Sequence, residues 1–317
     1  MAMYSIEAQR FGLKKEAVRG TAETTPAKWY PVLKGTEMNY GLSLLENDVL
    51  KGDPTMLPPI AGGKTGSGKV QLPLDSQTCV EFFRGLLGGI SSAQQGATAA
   101  YKHTITLNSG LQKPSYTYFM DYGIDVKKYS LGTVKKVMLA GAVDSLGSFE
   151  ADIIFKNEVT GSIGSPTFPT QKYLAFNTMD FKIAGSSSTD VKEWNLEIDN
   201  GAAGLRTLNQ SQDIIDVVAP GKLDIKGGFT VYFQNETERA KFLANTAVAL
   251  RMVATGPLIA STYYHTVDVN VYEAHYTAFP FGDDSGLLAA KAAFTGYYSA
   301  SDAKAIQIEV TNTDTSY

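Results

Sequence analysis

Residues 68–87, GKVQLPLDSQTCVEFFRGLL, and residues 228–247, GFTVYFQNETERAKFLANTA, decide the reading of this chain. Each begins with glycine (Gly68, Gly228) and continues as a short strand-like run. Each then reaches a residue suited to capping a helix (Asp75, Asn235) and an apolar helical turn at Phe82–Phe83 or Phe242–Leu243. Identities between the blocks are few. What repeats, from position 68 to position 228, is the order of structural signals. A duplicated β-rich unit without visible catalytic apparatus reads as a building block rather than an enzyme.

Composition agrees. The 317 residues suit two domains, and a half of this size buries about 70% of its unfolded surface, enough for its own core. Charged residues make up 19% and the net charge is −4, so the basic stripe of a duplex-binding domain is not expected. The lysine pairs at 14–15, 127–128 and 135–136 read as solvated faces. The single cysteine, Cys79, falls in an expected helix and reads as a buried, inert thiol. No apolar run reaches the ~20 residues of a membrane helix, and residues 1–20 lack the apolar stretch of a secretory signal. A chain made in the cytosol is expected.

Along the sequence, residues 1–28 read as a polar, extended arm. Residues 47–69, with three prolines and several glycines, read as a long loop lacking regular structure over most of its length. The strand after it carries Pro73 and is expected at a sheet edge. Runs at 101–108, 115–123, 127–141 and 145–159, rich in β-branched and aromatic residues, read as strands. The Gly/Ser/Pro-rich stretch 161–171 is taken as the linker between a first domain (1–160, arm included) and a second (172–317). In the second, 201–222 takes the place of the first long loop, and Asn235 with Glu238 resembles a capping box. Val267, Val269 and Val271 alternate with Asp268, Asn270 and Tyr272, one face dry and one wet. The closing strand 305–312 matches 148–157 near the end of the first half.

Motifs for chemistry are weak. GKTGSGKV (63–70) satisfies most of a phosphate-binding loop. However, Val70 stands where a hydroxyl should hold magnesium, and a strand rather than a helix follows. His265 and His275 lie ten residues apart on one expected strand, about 33 Å, too far to share a metal. Neither metal nor cofactor is expected. Tyr116, Tyr118, Tyr122, Tyr263 and Tyr264 fit sheet composition, with sugar stacking the alternative. The apolar residues in the two loops, Met56, Leu57 and Ile60 in one and Ile214, Val217 and Val218 in the other, are more than solvated loops carry.

At residues 11–32, FGLKKEAVRGTAETTPAKWYPV, the chain resembles the tail tube (major tail) proteins of long-tailed bacteriophages. The Arg-Gly-Thr-Ala run leading to a Pro-Val strand carries the likeness, and the order of elements extends it over both halves. The resemblance implies a mainly β fold of two tandem tube domains, each a β-sandwich or barrel with one short flanking helix and a long loop. It implies copies joined edge to edge into rings, three duplicated chains giving pseudo-sixfold symmetry. Rings would stack through the six loop residues named above into the conduit for genome ejection. It further implies a virion location after synthesis in the bacterial cytoplasm, and tape measure, terminator and baseplate proteins as partners. Double-stranded DNA would pass through the lumen without tight binding. The alternatives are the tube protein of a contractile injection device and a carbohydrate-binding or glycan-active β-sandwich.

Overall fold

The computed structural model describes residues 6–49, 52, 53, 55–161, 164 and 166–317. Parts of the expected arm (1–5), first loop (50, 51, 54) and linker (162, 163, 165) therefore lie outside the described residues. The first half contains β1 (Arg10–Lys15), β2 (Lys28–Tyr30), β3 (Glu37–Leu45), β4 (Ile60–Pro73), α1 (Val80–Leu87), β5 (Gly88–Gln94), β6 (Tyr101–Leu107), β7 (Tyr116–Asp121), β8 (Val126–Ala142), β9 (Ser148–Phe155) and β10 (Asn157–Gly161). The second contains β11 (Met179–Ile183), β12 (Ser186–Ser187), β13 (Val191–Asp199), β14 (Ala203–Leu205), β15 (Asp216–Val218), β16 (Asp224–Tyr232), α2 (Thr237–Leu243), β17 (Val248–Ala260), β18 (Tyr263–Ala278), β19 (Phe281–Asp284), β20 (Leu287–Tyr297) and β21 (Ile306–Asn312). The chain is mainly β, and its sheets are antiparallel.

The strand pairings of one half recur in the other. β1 pairs with β2 and β7, and β11 with β12 and β17. β8 pairs with β7, β9 and β10, and β18 with β17, β20 and β21. β4 lies between β3 and β9, and β16 between β13 and β20. Two of the register slips correspond as well. The register slips between Tyr116 and Tyr118 and between Val134 and Lys136 reappear between Val248 and Leu250 and between Tyr276 and Ala278. Leu74 donates its N–H to the Gly147 carbonyl at 2.7 Å, and Phe233 does the same to Leu288 at 2.9 Å.

The registers thus equate Leu72 with Val231 and Tyr118 with Leu250, and the spacing is not constant. It shrinks because the hairpin β5–β6 is present only in the first half, where it pairs with β21 of the second. By the same registers β20, not β21, is the partner of β9; β21 matches β10. This corrects the expected match of the closing strand to 148–157.

Three further expectations change. Residues 10–15 are no free arm: Phe11 and Leu13 are buried, and β1 is paired on both sides. Period-two burial of two apolar side chains outweighs the polar neighbours. GKTGSGKV lies inside β4, not in a loop. A Cβ on Gly66 would stand 2.3 Å from the Phe155 ring, and one on Gly68 2.2 Å from Met38 Sδ, so these glycines make room for neighbouring side chains. Finally, Pro73 closes a strand flanked on both sides rather than an edge strand; it pairs with Ser148 beyond the end of β3.

The helices begin later than their expected caps. Asp75 Oδ1 accepts from Gln77 N at 2.7 Å, five residues ahead of α1, whose N-cap is Cys79. Asn235 Oδ1 accepts from Thr237 N at 3.0 Å, so the same local turn precedes both helices. Glu238 takes Lys241 and the Tyr276 hydroxyl rather than closing a capping box. α1 ends at Gly88, φ +93°. Its Phe82 and Phe83 pack on Phe149 at 5.5 and 5.4 Å between ring centroids, in the main core. Cys79 is buried there, and burial pushes its thiol pKa well up.

Candidate assembly surfaces

The halves join through backbone. The second part of β8, Lys136–Ala142, pairs with β13 from Asp199 to Glu193. One continuous sheet of eight strands results, in the order β3-β4-β9-β8-β13-β16-β20-β19. Both ends of this sheet are open. Among the described residues β3 pairs only with β4 and β19 only with β20. Leu42 on β3 and Phe281 on β19 are 47% and 43% exposed, although each lies on the side of its strand that faces the core elsewhere. An unpaired edge with an uncovered apolar side chain is a template for another strand.

The opposite face of the sheet is polar. It presents Glu37, Asn39, Ser67, Lys69, Gln71, Glu150 and Asp152 from the first half, with Lys136 beside them. From the second half come Glu193, Asn195, Glu197, Asp199, Lys226, Thr230 and Lys291. Carboxylates outnumber lysines. Lys69 bridges Glu150 at 2.7 Å, and Lys136 lies 3.4 Å from Asp152 and 3.6 Å from Glu197. Burial pushes the Glu150 pKa up, but hydrogen bonds from Lys69 and Gln71 outweigh it and hold it below its usual value. Such part-exposed pairs order the face more than they stabilise the fold.

Two arms project from the sheet at corresponding places, between β3 and β4 and between β13 and β16. The second arm includes the hairpin β14–β15, which the sequence reads as a long loop, and it is docked. Ile214 and Val217 are buried with Ala202 and Ala219 against Leu131 and Ile154 of the first half. Val218 is half-buried. Arg19 clasps the hairpin: Nε donates to Asp216 Oδ1 at 2.8 Å, Nη2 to the Val217 carbonyl at 2.6 Å and Nη1 to the Lys113 carbonyl at 2.6 Å. Glu16 positions that turn. Its buried carboxylate accepts from Gly20 N, Leu131 N and the Thr117 hydroxyl. Arg19 is the arginine of the Arg-Gly-Thr-Ala run. The sequence reading assigned roles to neither Glu16 nor Arg19, because an Arg in a polar stretch gives no signal of a partner about 200 residues away.

The first arm leaves most of its described apolar side chains exposed. Met56 is 82% exposed and Ile60 63%, Leu57 is half-buried, and Leu44, Leu45 and Val49 are also exposed. The six loop residues thus fall in two different environments. Ile214 and Val217 already spend their apolar surface within the chain, and Met56 and Ile60 do not.

The remaining candidates for chemistry settle into structure. His103 is buried between Ser92 and Asn312, and His265 against Ser76; burial lowers the pKa of both. No cluster of three metal-ligating side chains exists among the described residues. Tyr116 and Tyr118 are buried in the core rather than arrayed on a surface, and no described helix is long and apolar enough to cross a membrane.

A sheet with repeated strand pairings, two ends unpaired among the described residues and one polar face offers edges on which further strands can pair. The family profile described as Phage tail tube protein matches residues 7–312, and the chain belongs to that family. No curated protein matches it. Its role is structural, as a component of the virion tail.

Proposed function

We propose that this protein forms the tail tube by closing three copies into a ring and stacking the rings, the polar sheet face lining the lumen through which the genome leaves. The observation that carries this reading is the β8–β13 junction. By the repeat, β19 occupies the position in the second half that the far part of β8 occupies in the first, and β3 occupies that of β13. The pairing that joins the halves of one chain thereby has an open counterpart between chains. A head-to-tail contact of this kind closes a ring when its rotation allows. Three duplicated chains supply six equivalent units.

The lining suits passage. Its excess of carboxylates repels phosphate, whereas a basic lining would release counterions and hold DNA. The tape measure, terminator and baseplate proteins are partners at the interior and ends of such a tube. The test is electron microscopy of concentrated protein beside a light-scattering mass, for the natural chain and for Leu42→Lys. Hollow tubes or threefold rings from the natural chain, and a folded monomer from L42K, are expected. Solid aggregates or a strict monomer from the natural chain at high concentration count against the reading.

A further inference from the structure

We infer that the polar face of the first half carries a site for a phosphate group, built around Lys135. A bulge in β8 makes it. Opposite β9, Val134 pairs with Ile153 and Lys136 with Asp152, so Lys135 is an extra residue whose side chain the bulge re-aims. That side chain lines a cavity of about 480 Å³ on the polar face, between β3, β4 and β9 and the docked β14–β15 arm. Lys69 and Arg206 line it too, with the Asn39 amide and the Thr65 and Ser67 hydroxyls as neutral donors.

Lys135 is half-buried, yet among the described residues its ammonium has no hydrogen bond and no ion pair. Two other charges of the cavity are compensated from outside it. Lys69 is bridged by Glu150 at 2.7 Å, and Asp152 by Lys136 at 3.4 Å. Arg206 donates to the Lys64 and Gln212 carbonyls, whose neutral oxygens leave its charge uncancelled. Lys135 and Arg206 therefore stand against one carboxylate, the exposed Glu37. An oxyanion satisfies a half-buried ammonium and accepts from hydroxyl and amide donors as well. A phosphate group fits this donor set, either as the free ion or in the backbone of a duplex. The second half lacks the site. Through the repeated registers Lys69 corresponds to Gly228, Asp152 to Ala293 and the bulged Lys135 to Thr277. A ring of three would carry three such sites on its bore. The carboxylate excess elsewhere on the face keeps each contact weak and quickly reversed.

Calorimetric titration of inorganic phosphate into the natural chain, with ionic strength held constant by chloride, tests this. Saturable binding is expected. It should weaken at least about tenfold in Lys135→Met, which loses a charge-assisted contact. It should stay unchanged in Lys291→Met, which removes a lysine of the same face outside the cavity. Lys135→Gln keeps a polar end and should lose as much, so a misfolded methionine variant does not decide the matter. A labelled short DNA duplex is the second probe. Duplex that binds the natural chain and is displaced by inorganic phosphate identifies the nucleic-acid backbone as the source of the group. Duplex that stays unbound while phosphate binds identifies the free ion. Equal phosphate affinity with and without Lys135, or no saturable binding to the natural chain, overturns the inference. Binding is read whether or not tubes form, so failure of this site and failure of the ring reading are seen separately.

Discussion

Replacing Arg19 by Met removes the clasp on the β14–β15 arm and keeps the apolar stem of the side chain. Three hydrogen bonds from the guanidinium are lost, one of them to the Asp216 carboxylate. Asp216 keeps the Gln112 amide at 2.6 Å, so it is not stranded. Hydrogen bonds involving a charged group contribute about 1.5–3 kcal/mol each, but the Arg19 and Asp216 side chains are 24% and 19% exposed, and solvent screening reduces the sum. A net loss of about 2–4 kcal/mol in holding the arm down is the working figure. Because the arm can open without unfolding the sheet, the loss belongs to local opening rather than to global stability. At 1.4 kcal/mol per tenfold, amides of residues 203–218 should exchange with solvent roughly 30- to 1,000-fold faster. Those of β8 and β9 should barely change. Hydrogen exchange followed by mass spectrometry reads both. Exchange in 203–218 within about threefold of the natural rate would refute the clasp, since even the weakest figure predicts about ten times that change.

Two other outcomes follow from burial and packing. His103 and His265 are buried with lowered pKa values, so the unfolded chain binds more protons than the native one as pH falls through about 6.5. Stability contributed by keeping them neutral is full above that pH and is lost below it, down to the native pKa. The melting temperature should therefore fall between pH 7.5 and 5.5, and a flat profile would contradict the shifts. Gly66→Val forces a side chain into the Phe155 ring and should cost about 1–3 kcal/mol or more in denaturant unfolding. Gly41→Val on β3, where nothing lies within 4 Å, should stay within about 0.5 kcal/mol; equal effects at the two positions would refute the packing account.

The sequence made strands legible where burial alternates. Val267, Val269 and Val271 are buried as the pattern requires, and so are Phe149, Ala151, Ile153 and Phe155. It failed where glycine stands in a strand, because Gly66 and Gly68 look like loop residues until Phe155 and Met38 are placed opposite them. It failed again at β1, where Phe11 and Leu13 are too few to outweigh Lys14, Lys15 and Glu16 in a pattern count. The repeat was visible at the Asp75 and Asn235 turns, but the β5–β6 insertion hid the correspondence downstream. At the arms, the apolar character of Ile214 and Val217 signalled burial. Alternation and composition carry no information on whether the burying surface belongs to the same chain or to another copy.

The β5–β6 hairpin makes the two halves unequal, and that inequality has a bearing on growth. It pairs with β21, outside the eight-stranded sheet, so in the ring proposed above the bore would keep its sixfold likeness while the rest of the ring would repeat only once per chain. A ring arriving half a step out of phase would match the bore below it yet set hairpins over bare positions. Under the proposed stacking, the tube would have a rotational phase that its lumen does not reveal, and each added ring would have to copy it from the last.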